Sequence, residues 1–451
     1  MGFILMNKLA SDDRKPSLAD DLLIDAEDAP QPVPARGPHA VLLAVGLMLV
    51  ALNLRPALSS LGPILPEVIR DTGITAVGAS ILTTAPVLCL GLFGFMAPRI
   101  AGRLGTERAI LAFLVVLAAG TALRGTLSFP GLLAGSIVAG AAIGIIGVLL
   151  PGLVKRDFPD KASLMTGVYT MALCAGAAFA AGSSVPLQQA MGGSWPAALA
   201  VWAIPALVAA AVWLPTAPPR LGAATGGGTG AASAASRVVK VTGLWRDPLA
   251  WQVTLYMGLQ SAVAYMVFGW IAPMLRDRGL DPVMAGLVVS CSILVQVPAA
   301  LVSPLLATRR PSQSVAAVLL MVSTLVGLLG LFHAPLGSVW IWAVLLGIGQ
   351  GGNFAVALTI IVLRSRDAHV AAHLSGMAQS VGYTLAAMGP LGVGVLHEWA
   401  GGWQAVSTLF ICVCCVAAVF GIAAGRDRHV AAVVADRATD GATNRATAQG
   451  S

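Results

Sequence analysis

Twelve runs of about twenty or more predominantly apolar residues succeed one another along this chain, and that repetition decides what it can fold into. They occupy residues 39–66, 75–97, 108–127, 131–153, 162–188, 195–214, 248–275, 283–306, 314–333, 338–363, 371–396 and 403–424. In lipid each backbone N–H and C=O must be paired inside the protein, so runs of this length cross a bilayer as helices. Composition agrees: charged residues are 10% of the chain and hydrophobic ones 57%, with a mean hydropathy of +0.84. A soluble domain carries about 25% charge. The expected fold class is an all-α polytopic membrane protein with twelve transmembrane helices.

Lysine and arginine concentrate in alternate loops. With the N-terminus inside, fourteen of them (Arg99, Arg108, Lys155 and Arg310 among them) fall in cytoplasmic loops. Only four, Arg70, Arg124, Arg276 and Arg278, fall on the other side. This bias predicts that both termini are cytoplasmic. It also explains the net charge of +7 without a nucleic-acid partner, since no basic patch interleaved with aromatics occurs. The six cysteines all fall inside predicted helices, where thiols pack as small apolar groups, and no disulfide is expected.

Residues 1–38 carry seven Asp and Glu followed by a Pro-rich run, and are expected to form a disordered cytoplasmic tail. The stretch 215–247 contains GAATGGGTGAASAAS, the composition of a flexible cytoplasmic linker. It divides the helices into two bundles of six, 39–214 and 248–424, and residues 425–451 read as a second tail without order. The bundles repeat each other weakly. Arg156-Asp157 matches Arg366-Asp367, and Gly193-Ser194-Trp195 matches Gly401-Gly402-Trp403, with Trp falling 208 residues after Trp. Two pseudo-symmetric six-helix bundles, with a site near the midplane between them, are the expected architecture.

Within that frame Arg55 stands out, because residues 41–65 carry no other charge. A guanidinium at the bilayer centre costs roughly 2.5–3.5 kcal/mol and usually faces a bundle interior or a watery cavity. No Asp or Glu occurs at that depth in another segment, so an anionic or strongly polarised solute is its natural partner. Pro56 and Pro63 should kink this helix, since proline removes a donor and clashes one turn back. Helical spacing sets Ser59 on the face of Arg55, whereas Asn53 points elsewhere as an interhelix hydrogen bond. In the second bundle Gln260, Gln296, Gln350, Asn353 and Gln379 should turn inward, because amides in lipid need partners. Tyr265, Trp270 and Tyr383 complete the expected aromatic wall.

The stretches NLRPALSSLGPILPEV (53–68), LLPGLVKRDFP (149–159), GIGQGGNFAVALTIIVLRS (347–365) and HLSGMAQSVGYTLAAMGPLGVGVLHEWAGGW (373–403) resemble the cyanate/2-nitroimidazole transporter family of the major facilitator superfamily. The resemblance runs through nearly all of 40–424 and implies transport of a small polar or anionic solute across a bacterial inner membrane by alternating access. It also assigns gating or structural roles to Arg103 and Gly105, beside the Arg156-Asp157 and Arg366-Asp367 pairs. In the loop that holds Arg103, Gly102 stands where the superfamily carries an acidic residue, and Gly147 stands where relatives often carry a polar one. A drug or metabolite exporter is the competing reading, to be favoured by an aromatic-rich cavity. A membrane-embedded enzyme would need clustered nucleophiles, bases or metal ligands, and no HExxH or paired carboxylate occurs in the helices. No cofactor or metal is expected, and the chain should act as a monomer.

Overall fold

The computed structural model describes residues 38–158, 161–217, 240–366 and 368–435. The acidic N-terminal stretch, the Gly-rich part of the linker and Asp367 lie outside the described residues. Eleven helical segments are long and apolar enough to cross a membrane. They are α1 (Val41–Thr72), α2 (Ala76–Gly94), α3 (Thr106–Leu123), α4 (Phe129–Asp157), α5 (Leu164–Ala190), α6 (Trp195–Thr216), α7 (Pro248–Asp277), α8 (Pro282–Ala307), α9 (Ser314–His333), α10 (Leu336–Leu363) and α12 (Trp403–Ala424). Between the last two, the predicted segment 371–396 is present as two consecutive helices, Ala368–Ala386 and Met388–Ala400, together α11. Its first piece carries His373, Ser375, Gln379 and Ser380, and its second is only 13 residues long, so neither qualifies alone.

Short polar residues start these helices where the sequence places them. Thr75, Ser128 and Ser194 each accept a hydrogen bond from the backbone N–H three residues on, and Asp247 and Asp281 cap α7 and α8. Such caps satisfy donors that the first turn leaves bare.

α1 is broken in mid-membrane. Its first helix ends at Asn53, Leu54 and Arg55 form a turn, and a short helix Pro56–Ser59 leads into Leu61–Thr72. Proline at 56 has no N–H to offer the carbonyl of Leu52. That carbonyl lies against Gly176 of α5, where any Cβ would collide with it. The Asn53 amide bridges α1 to α6 through the carbonyls of Leu49 (2.8 Å) and Pro205 (3.1 Å), in the interhelix role expected of it.

The two halves carry one matching bond each at the same end. The indole of Trp195 donates to Asp71 at the end of α1 (3.1 Å), and that of Trp403 donates to Asp277 at the end of α7 (3.0 Å). At this end the halves also meet each other. Arg276 of α7 forms a two-pronged ion pair with Glu67 of α1 (2.6 and 2.8 Å) and donates to the Pro63 carbonyl (2.8 Å). Glu398 of α11 accepts the Val77 N–H of α2 (2.9 Å). Glycines line the seam: a Cβ on Gly286 of α8 would stand 2.8 Å from the Ala181 carbonyl of α5. One on Gly62 would strike the Phe268 carbonyl, and one on Gly394 would strike Ser80.

The opposite end of the second half carries a small appendage that the sequence reading missed. A strand at Lys240–Thr242 pairs antiparallel with Val433–Ala435, so residues 425–435 are ordered, correcting the reading of everything after Arg426 as structureless. Arg364 anchors this strip. It is 1% exposed and reaches the carbonyls of Pro311 (3.2 Å) and Gly425 (3.1 Å), the side chain of Gln313, and Asp427 (3.1 Å). Val430 is fully buried and its N–H donates to the Arg364 carbonyl at 2.9 Å. Truncation after Arg426 is therefore expected to destabilise the fold by about 1.5–3 kcal/mol for the lost burial of Val430. A lower melting temperature in detergent would register this, and an unchanged one would show that the strip contributes nothing.

Candidate functional site

A cavity of about 360 Å3 lies between the halves. Its walls draw on residues 54–58 of α1, the second halves of α2, α4, α8 and α10, residues 166–177 in the first half of α5, and residues 375–383 in the first piece of α11. Even-numbered helices end, and odd-numbered ones begin, on the side of the loops that carry Arg99, Arg103, Lys155 and Arg156. The cavity thus lies toward that basic side, and the seam of Glu67, Arg276 and the glycines closes the other.

Arg55 lines the cavity from the break in α1 and is half-buried. None of the ion pairs among the described residues includes it. Among the described residues no carboxylate lines the cavity beside it. Across from it, Tyr265 meets Tyr383 edge-on at 6.2 Å and Phe268 at 6.1 Å. Gln260, Gln296, Gln350 and Gln379 also reach the cavity, so seven of the ten residues expected to bind solute share one wall system.

Three do not. Ser59 is fully buried and donates to the Ala177 carbonyl of α5 (2.9 Å), which makes it part of the α1–α5 contact. Asn353 accepts from the Tyr256 hydroxyl (2.8 Å) and donates to Thr324 (3.2 Å), tying α10 to α7 and α9. Trp270 lies nearer the far end of α7, packed against Trp403 and His397 at centroid distances of 6.2 and 6.3 Å. Face was read correctly for some of these residues, but depth was not.

Tyr169, Thr170, Cys174, Phe354 and Ser375 line the cavity without having been singled out as site residues. A signal existed for α5: Thr166, Thr170 and Cys174 recur at four-residue spacing, the period of one helix face. Gly147 also lines the cavity and leaves open space where a side chain would stand, so α4 contributes room there rather than a polar contact.

The residues expected to gate or shape the fold fall elsewhere. Pro56 opens the short helix after the break, and Pro63 is buried in the following one. Gly105 has φ of +85°, a conformation that favours glycine, and turns the short helix Ala97–Leu104, which carries Arg103, into α3. Arg156 grips Asp157 (2.7 and 2.8 Å) and Glu107 at the start of α3. Arg366, its counterpart in the repeat, is exposed.

A family model described as Major Facilitator Superfamily matches residues 43–390 and 274–446. The 2-nitroimidazole transporter of Escherichia coli (strain K12) is 35% identical over 395 residues, 87% of this chain and 98% of that protein. The chain belongs to the cyanate/2-nitroimidazole transporter family of the major facilitator superfamily. The Cyanate transport protein CynX of the same organism is 28% identical over 358 residues, covering 79% of this chain and 90% of the relative. Among solved structures, a bacterial homolog of the human lysosomal transporter Spinster superposes with a TM-score of 0.68 at 14% identity, over 87% of this chain and 98% of that one. That likeness concerns the fold alone. The family makes this chain a multi-pass membrane transporter of a small molecule.

Proposed function

We propose that this transporter carries a small planar anion or nitro-bearing solute across a bacterial inner membrane, with Arg55 as its anchor. The observation that carries the reading is an arginine lining the cavity at a helix break, with no carboxylate among the described lining residues. A carboxylate or nitro group offers the charge-assisted, two-pronged contact that a guanidinium favours, and linear cyanate offers a charge-assisted contact through one terminal atom. The names of the relatives, a 2-nitroimidazole transporter and a cyanate transport protein, fit the same chemistry. Both termini are cytoplasmic in this reading, the chain acts as a monomer, and the conformation described is open to the inside.

Rocking of the two halves about the site would expose it alternately to each side. The lining contains one charged residue, Arg55, and no carboxylate or histidine among the described residues. Proton coupling through a cavity carboxylate is therefore not part of this proposal, and the solute's own protonation supplies any coupling.

A second reading has an observation in its favour. Only 4 Tyr and 12 Phe occur in the chain, yet Tyr169, Tyr265, Phe268, Phe354 and Tyr383 all collect there. An exporter of larger aromatic compounds would use such a wall. A thermal-shift screen of purified protein against cyanate, 2-nitroimidazole, benzoate and uncharged aromatic amides separates the two. Stabilisation by the first three alone is expected, and stabilisation by neutral aromatics alone would favour the exporter.

A further inference from the structure

The four cavity glutamines are not equivalent. Gln260 directs its amide N–H groups to the Met257 carbonyl (3.2 Å) and Ser261 (2.8 Å), and Gln379 directs its own to Ser375 (2.8 Å). Gln296 of α8 donates to the side-chain carbonyl of Gln350 on α10 (3.2 Å). Gln350 is 4% exposed, lines the cavity, and its amide nitrogen has no hydrogen-bond partner. A buried donor without a partner is costly, so it is poised for an acceptor that arrives with a ligand.

The backbone explains why the two amides meet. Gly347 and Gly351 of α10 sit where any Cβ would collide with the carbonyls of Ser292 and Gln296 on α8. The two helices therefore touch at the level of the glutamines, and the Gln296 amide meets the Gln350 carbonyl oxygen. With that oxygen engaged, the buried Gln350 NH2 group is the end of the amide left without a partner beside the cavity.

We infer that Gln350 is the second recognition point for the solute, and that Gln296 is a positioning residue that keeps its amide turned donor-first. The inference rests on the reading of Arg55 as anchor and sharpens it. The solute then carries an anionic or nitro group for Arg55 and a further hydrogen-bond acceptor elsewhere on its frame for Gln350. Since Arg55 belongs to the first half and Gln350 to the second, such a molecule ties the halves together, and one lacking the second acceptor binds one half well and the other poorly.

The test compares benzoate with 3- and 4-nitrobenzoate by isothermal titration on the full chain, in wild type, Gln350→Met and Gln296→Met. Wild type should bind the better of the two nitrobenzoates about 2- to 12-fold more tightly than benzoate, the range for one neutral hydrogen bond. In Gln350→Met that preference should vanish. In Gln296→Met it should shrink without vanishing, since the freed amide still reaches the ligand in part of its orientations; this variant also serves should the first fail to fold. Equal preference in wild type and both variants would overturn the role given to Gln350. Absence of binding by benzoate and nitrobenzoates alike in wild type would instead overturn the anion reading itself.

Discussion

Arg55→Ala is expected to give near-normal folded yield and almost no transport. Among the described residues the guanidinium has no ion-paired carboxylate to strand, and the turn around it is held by backbone bonds from Leu58 (2.9 Å) and Ser59 (3.2 Å) to the Arg55 carbonyl, which survive the change. Removing a hydrogen-bonding partner to a charged group costs about 1.5–3 kcal/mol, or roughly 10- to 150-fold in affinity. Arg55→Lys should recover little, because an ammonium lacks the planar fork that meets a carboxylate or nitro group side-on. Uptake of a ligand found by thermal shift, normalised to protein in the membrane, measures both. A purely structural arginine predicts the reverse: poor yield for the alanine variant and normal transport by whatever protein survives.

The second large effect is conformational. Gly286→Ala adds a methyl group 2.8 Å from the Ala181 carbonyl across the closed seam, and neither backbone can yield locally. Overpacking of this kind costs about 1–3 kcal/mol. The penalty applies only while the seam is shut, so the balance should move about 5- to 150-fold toward the state open on the far side. Alanine is otherwise a better helix residue than glycine, so the fold itself should not weaken. Labelling of a cysteine placed at Ser80, fully buried under Gly394 in the seam, reports the change in a background without the six native cysteines. Maleimide should react markedly faster in the alanine variant. An unaltered labelling rate would mean that this glycine does not control closure.

The all-helical membrane fold, eleven of the spans and the place of Arg55 at the cavity were legible because each depends on local pattern: the length of an apolar run, and a charge where none belongs. The cost of an unpaired amide in lipid turned Gln260, Gln296, Gln350 and Gln379 inward, and all four line the cavity with Tyr383. Local pattern could not supply depth. Trp270 lies ten residues beyond Gln260, about 15 Å along the axis, and so leaves the cavity altogether. Nor could it foresee rivals for a polar group: Asn353 is three residues from Gln350, but the Tyr256 hydroxyl claims its carbonyl oxygen. The ribbon of Lys240–Thr242 with Val433–Ala435 joins segments far apart in the chain through three-residue strands, too short to show any period. Whole-chain aromatic counts say little about a cavity wall, since a few rings suffice when folding gathers them in one place.

The closing residues also determine how stiff the molecule is. Glu67, which reaches across to Arg276, lies one helical turn before Asp71, which holds Trp195 in its own half. Arg276 is followed at once by Asp277, which holds Trp403. Each half of the latch is thus bolted to its own body within a few ångströms of where it grips the other. Both ends of the ion pair are rooted beside a bond that fixes the helix end to its own half, so tilting one half against the other pulls directly on Glu67 and Arg276.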